Sequence, residues 1–498
     1  MVLFQSLEDG IVKRIGGLFF LLMLSIFSVS GSLSDVAGEE AKSRNQFDPK
    51  IDGLLAMQVD AKLHQNSTQG EFDMAIVASG LPEKQRVFIH FEQKPTLSQM
   101  NELQSRGVIV HTDSWIPPLA GHPTGFLVAE MSPATVYEIA DIDSISSMST
   151  AEIQCEPQND VAAAMSKADI VWNGIPSSTG TGVKIAVLDS GFEIDHPDFP
   201  SWMTGGENYR DYSTDATGPD DYDVANCCTG HGTHVAGTAL GRGTAGSPTG
   251  IYKGMAHEAT PVLLKIGGDS SAGAWPEAIV AALKAAVDEY NADVINMSYG
   301  SWSVYHDGSD EMCQAIDYAV SQGATVFIPA GNDGSSSQHY SGTVSGDGWG
   351  DWIEVSVTGT STFYFNLVWY DGIEASNDLE LYYYQSATQN SLAPITTYPQ
   401  SESPRGTESE ISFYGESGVL KAIYPGTYFL RVRNYSPNAQ FFHIYNFNRA
   451  RYVNFVDRDI YYTVISPAEA DGAIAVGAAR SRDQWWDYAN NYQGSSTA

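Results

Sequence analysis

Four short apolar runs constrain this chain more than anything else in it: "VKIAVLD" (183–189), "PVLLKI" (261–266), "DVINMS" (293–298) and "ATVFIPA" (324–330). Each is short for a helix and lacks the polar alternation of a strand with one wet face. Between them stand segments of helical period, "AWPEAIVAALKAAVDEYNA" (274–292) and "SDEMCQAIDYAVSQG" (309–323). Strands that are apolar on both faces, alternating with helices, predict a parallel sheet covered on each side: an α/β fold. In such a sheet, ligands gather beyond the carboxyl ends of the strands. The residues just past these runs are therefore the first place to look for chemistry.

The flanks have other textures. Residues 1–31 close with "KRIGGLFFLLMLSIFSVSG" (13–31), a basic pair, an apolar core and small residues. That is a secretory signal pattern, and it falls short of the roughly 20 apolar residues of a membrane span. Export, with no membrane segment left after signal removal, is the expectation; an uncleaved anchor is the alternative. Residues 32–84 are polar and weakly patterned, and read as a linker. Residues 85–150 read as a small βαββαβ module of the α+β kind. Ser132 is its expected helix cap, with Pro133 at the first helical position.

From 341 to 463 the chain alternates apolar and polar residues and is rich in aromatics, as in "TFYFNLVWYD", "DLELYYY" and "FFHIYNF". This predicts an antiparallel β-sandwich. "DGAIAVGAARS" (471–481) then returns to the texture of the α/β part. The sandwich is thus inserted in a domain made of 155–340 and 464–498. Gly/Ser-rich "GNDGSSSQ" and "ISPAEADG" bound it, so few core contacts should cross and the insert should be separable.

Charge excludes one class of partner. The chain carries a formal net charge of −34, and such a surface repels the phosphates of nucleic acids. Export permits disulfides among Cys155, Cys227, Cys228 and Cys313, but their pairing is not fixed by the sequence. No CxxC spacing points to a metal held by thiols. The acidic run "DYSTDATGPDDYD" (211–223) reads as a solvated loop, with a structural calcium ion as the alternative.

Three residues stand at the ligand-bearing strand ends. Asp189 ends "KIAVLD", His231 opens a segment of small residues, "HGTHVAGTALG", and Asn332 lies in "PAGNDG". Nucleophilic catalysis needs a base that titrates near neutrality, a buried carboxylate to orient it, and a donor where an oxyanion develops. Singly, each residue has a plain structural role: a cap, a core histidine, a turn. As a set on these elements they point to catalysis without a cofactor.

The motifs around them resemble those of the subtilisin-like serine proteases, the subtilases. "AVLDSGFEIDHPDF" (186–199) is similar to that family's aspartate region and "HGTHVAGT" (231–238) to its histidine motif. "INMSYG" (295–300) resembles its substrate-lining segment, and "GATVFIPAGNDG" (323–334) its oxyanion-asparagine region. The resemblance implies that Asp189 orients His231, that His231 is general base and then acid, and that Asn332 donates to the oxyanion. It implies that Ser298, Tyr299 and Gly300 pair with the substrate backbone, and that the partners are protein or peptide substrates. It further implies that module 85–150 is a propeptide, itself a partner that inhibits the enzyme. His257 departs from the pattern, since the family usually has proline there.

The family's order is Asp, His, Ser, with its serine in Gly-Thr-Ser at a helix start. Ser361 in "GTSTF" runs on into an alternating strand, and Ser496 in "GSSTA" follows too soon after "AVGA". The expectation is therefore a serine beyond Ala498, a secreted endopeptidase, and no activity for the chain as given. Two readings compete: an inactive homologue that binds peptides, and an adhesion protein built on the sandwich.

Overall fold

The computed structural model describes residues 48–63, 83–119, 122–151, 156–157, 168–174, 176–213, 230–245, 253–269, 273–360, 364–372, 377–384, 395–399, 402–414, 425–447, 452–477, 485–486 and 492–493. The signal segment, Cys155, Cys227, Cys228, residues 214–223 of the acidic run, Ser361 and Ser496 lie outside the described residues.

Part of the expected linker is structure. Gly53–Leu63 forms a helix, α1, with Leu54, Leu55, Met57 and Val59 buried. Asp52 caps it, accepting from Leu55 N at 3.0 Å through one carboxylate oxygen and from Thr150 N at 3.0 Å through the other. The apolar residues of "GLLAMQVDAKL" are not confined to one stripe, so helical period does not announce it.

The module that follows consists of β1 (Gln85–Phe91), α2 (Leu97–Ser105), β2 (Ile109–Ile116), β3 (Gly125–Met131), α3 (Pro133–Ala140) and β4 (Ser147–Thr150). Its antiparallel sheet has the order β2-β3-β1-β4. Thr96 closes a capping box on α2, and the Ser132 side chain accepts from Thr135 N at the start of α3.

The central part comprises β5 (Glu156–Pro157), β6 (Lys184–Asp189), β7 (Tyr209–Asp211), α4 (His231–Leu240), β8 (Thr260–Lys265), α5 (Pro276–Asp288), β9 (Val294–Met297), β10 (Tyr299–Gly300), α6 (Glu311–Ser321) and β11 (Thr325–Pro329). Strands β7-β8-β6-β9-β11 lie side by side and parallel. Ile185 to Asp189 of β6 are all buried, which is why the run carries no polar alternation. Phe88, Phe126 and Val128 of the module share one apolar cluster with Ala278, Ile279 and Ile316 of α5 and α6. The module sheet is therefore seated on these two helices.

After β11 the chain builds the sandwich: β12 (His339–Val344), β13 (Ile353–Val357), β14 (Tyr364–Tyr370), β15 (Leu379–Tyr384), β16 (Ile395–Pro399), β17 (Thr407–Tyr414), β18 (Gly426–Asn434), β19 (Gln440–Asn446) and β20 (Val453–Phe455). Its antiparallel sheets run β12-β19-β14-β17-β16 and β15-β18-β13-β20. Inward residues such as Val355, Leu367, Leu381, Val432 and Ile444 form its core. The chain then returns as β21 (Ala473–Val476), parallel to β11, as the sixth strand of the central sheet.

The expectation that few core contacts cross the boundary of the insert does not hold. Trp302 and Ile465 of the central part form one buried cluster with Val368 and Tyr445 of the sandwich. The His306 ring stacks on Tyr445 with centroids 3.8 Å apart. Arg405 forks onto Asp471 at 2.9 and 2.8 Å. Aromatic residues written into strand patterns serve this seam as well as the sandwich core, which period alone does not reveal. No helix among the described residues is long and apolar enough to cross a membrane.

Candidate active site

Two elements meet because one residue lacks a side chain. Strand β6 ends at fully buried Asp189, and the chain turns at Gly191, whose φ is +141°. Helix α4 starts from Gly230, which is in the left-handed region at φ +84°. A Cβ on Gly232 would stand 2.0 Å from Gly191 O and 3.1 Å from Asp189 Cβ. Glycine at 232 is therefore what lets the first turn of α4 touch the end of β6. Gly232 N donates to Ser190 Oγ at 3.3 Å, and Ser190 N donates to Asp189 Oδ1 at 2.7 Å.

His231 Nδ1 then lies 2.6 Å from Asp189 Oδ1, with its side chain 12% exposed and that of Asp189 fully buried. A carboxylate only accepts, so Nδ1 carries a proton, and in the neutral ring the lone pair is then on Nε2. The pair can accept a proton at Nε2 while the buried carboxylate stabilises the resulting charge.

Strands β6, β9 and β11 are neighbours, so their carboxyl ends form one rim. Ser298 follows β9, and its Oγ accepts from Asn296 Nδ2 at 3.1 Å. Tyr299 and Gly300 are buried. Asn332 follows β11 after a turn at Gly331 (φ +104°) and is exposed, with no capping bond from its side chain. A direct hydrogen bond joins Asp189 to His231, and the other four residues line the adjacent strand ends.

The edge formed by β10 already holds a strand. Residues 299–300 pair antiparallel with β5, Tyr299 opposite Pro157 and Gly300 opposite Glu156. Nothing in "EP" announces a strand. Ile465, in the boundary segment "ISPAEADG", carries no sequence signal either. It is fully buried, and Ser466 next to it exchanges two backbone hydrogen bonds with Ser301, each 2.9 Å.

Among the described residues, two groups of side chains could gather round a metal ion, His111–Glu130–Glu277 and Asp310–Cys313–Glu469. Both are already engaged within the chain. His111 Nε2 lies 3.0 Å from Glu130 and Arg86 Nε 2.8 Å from Glu277. Asp310 caps α6, its carboxyl pushed up to about 6 by burial and by Glu469. His257 packs edge-on against Trp172, centroids 5.0 Å apart.

Residues 180–447 match the family model described as "Subtilase family". The chain is 35% identical over 160 residues to the major intracellular serine protease of Bacillus subtilis (strain 168), covering 32% of this chain and 46% of the relative. It is 32% identical over 205 residues to a subtilisin of Bacillus sp. (strain TA39), covering 36% and 45%. The chain thus spans about half the length of these curated relatives. Among solved structures, the Clostridium perfringens CspB protease superposes with a TM-score of 0.49 at 20% identity, covering 66% of this chain and 74% of that one.

Proposed function

Since the chain belongs to the subtilase family, we propose that it is a secreted serine-type endopeptidase whose base is His231. The observation that carries this is the 2.6 Å contact between buried Asp189 and His231 Nδ1 at the carboxyl rim of the parallel sheet. In the acylation step a serine hydroxyl attacks the peptide carbonyl while its proton passes to His231 Nε2. The C–N bond then breaks, and the same proton goes to the leaving amine. Asn332 offers its side-chain NH₂ to the oxyanion formed in between. Water repeats the sequence on the acyl-enzyme and frees the carboxylate product. Ser298 to Gly300 hold the substrate as an added strand.

The pairing of β5 with β10 supports the module as the enzyme's own inhibitor. The residues that leave the module occupy the edge a substrate would take.

The test uses the full-length gene product and a fluorophosphonate probe, with the labelled serine located by peptide mapping. His231→Ala should abolish labelling. Asp189→Asn, which leaves the imidazole in the wrong tautomer, should lower kcat by about 10⁴. Labelling that persists in His231→Ala sinks the proposal. Peptide binding without any labelling would favour the inactive homologue instead.

A further inference from the structure

We propose that His111, Glu130 and Glu277 form a zinc site that clamps the N-terminal module to the central part. The site stands apart from the peptidase reading and does not depend on it.

Two strands and a helix bring the donors together. On the β2–β3 ladder Ile109 stands opposite Glu130 and His111 opposite Val128. His111 and Glu130 are therefore diagonal neighbours on one face of the sheet. Val128 of that face enters the apolar cluster shared with α5, so the face is turned toward this helix. Glu277 is the second residue of α5 and meets the pair there. One donor atom of each residue lies within 4.8 Å of the other two. Tetrahedral zinc, with bonds of about 2.0–2.2 Å, holds its ligands roughly 3.4 Å apart, a spacing that limit admits.

The contacts these side chains make with one another and with Arg86 leave one buried atom over. His111 Nε2 lies 3.0 Å from Glu130 Oε1, and Arg86 Nε donates to Glu277 Oε1 at 2.8 Å. The Arg86 guanidinium is anchored over the Trp275 ring, 4.2 Å from its centroid. Glu277 Oε2 has no hydrogen-bond partner among the described residues, although the side chain is only 4% exposed. A buried carboxylate oxygen without a partner is costly and needs a physical reason. A proton on His111 Nε2 serves a single carboxylate. A divalent ion in its place serves both at once and takes the imidazole lone pair as its third ligand.

The donor set selects the ion. Imidazole together with carboxylates suits zinc, whereas calcium takes about six to eight oxygens. The side chains of His111 and Glu130 are 24% and 21% exposed, so the ion has a way in and a water can complete the tetrahedron. His111 and Glu130 belong to the module and Glu277 to the central part. The bonds therefore span the junction, and the free energy of binding zinc adds to the association of the two parts.

The experiment is equilibrium dialysis of the full chain against Zn²⁺ and, separately, Ca²⁺. His231→Ala is carried throughout, which keeps the chain in one piece and removes the imidazole beside Asp189 as a rival ligand. One Zn²⁺ per chain should bind in a manner that Ca²⁺ does not displace. His111→Ala and Glu130→Gln should each weaken it by more than about 10-fold, the lower end of what losing even an outer partner of a ligand costs. Zn²⁺ should raise the melting temperature of the parent and of neither variant. Glu130→Gln keeps the shape of the side chain, so its loss of binding reads ligation and not packing. No bound zinc, or zinc bound equally by parent and variants, overturns the site; Ca²⁺ bound as tightly as Zn²⁺ overturns the choice of metal. In a chain cut between the module and the central part, Zn²⁺ should slow separation of the pieces in dilute urea and EDTA should reverse this. A rate that zinc leaves unchanged overturns the clamp.

Discussion

Gly232 shows how a backbone position without a side chain governs a reactive pair. The carbonyl oxygen of Gly191 would lie 2.0 Å from any Cβ there, so Gly232→Ala must push the start of α4 away from β6. A cost of about 1–3 kcal/mol is expected, as for other overpacked core positions. The Asp189–His231 hydrogen bond should break with it. Urea unfolding and peptide hydrolysis measured together check this: full activity in a destabilised variant would mean that the helix start adapts. The places of Asp189, His231 and Asn332 at the ends of elements were legible because each sits in a short local motif that ends a strand, starts a helix or follows a strand. That of Ile465 was not. It packs against Gly300 and Gly331, which folding brings to it from elsewhere in the chain.

At the scale of elements, period separated helices from buried strands in the central part and identified the sandwich by its alternation. It did not find α1, whose apolar residues spread beyond one face, nor β5, whose pairing is set by its neighbour. It also gave no sign that the sandwich shares a core with the sheet. Replacing Tyr445, buried in the seam, by alanine should cost about 3–5 kcal/mol, as for other large aromatic truncations. If the seam couples the two parts, they melt as one transition before the change and as two after it; calorimetry reads this directly. The seam also contains imidazoles that the fold keeps neutral. Burial pushes His339 down to about 4, and burial together with His339 pushes His443 down to about 3. In the unfolded chain both titrate near 6.5. As pH falls below about 6.5 the unfolded state takes up protons that the folded state refuses, so stability is lost progressively toward pH 4. The urea midpoint should be lower at pH 5 than at pH 7, and His443→Leu should flatten that difference. An unaltered slope would assign the acid sensitivity to other groups.

Over the whole molecule, the module is held by more than its peptide connection. Its Phe88 and Phe126 enter the apolar cluster of α5 and α6. Around that core Arg86 lies 2.8 Å from Glu277, His90 2.9 Å from Glu311 and His122 3.2 Å from Asp317, each pair crossing the junction. Cutting the full chain at a protease site engineered between 158 and 167 should therefore leave the two pieces associated. Gel filtration should show them co-eluting, whereas Phe126→Asp, which buries a charge in the shared cluster, should let them part. Separation of the unmutated pieces would show that the covalent link, not the packing, holds the module.

The return of the chain as β21 beside β11, after the whole sandwich has been built, also sets an order in time. A ribosome releases β11 long before β21, its partner on the outer side, exists, and that open edge of the nascent sheet waits while the intervening strands are translated. The sandwich, once folded, draws the ends of a very long loop together and removes most of the entropy of closing it. Completion of the central sheet is thereby made contingent on the sandwich folding first, and a lesion in the sandwich becomes a defect of biogenesis before it is a defect of the finished protein.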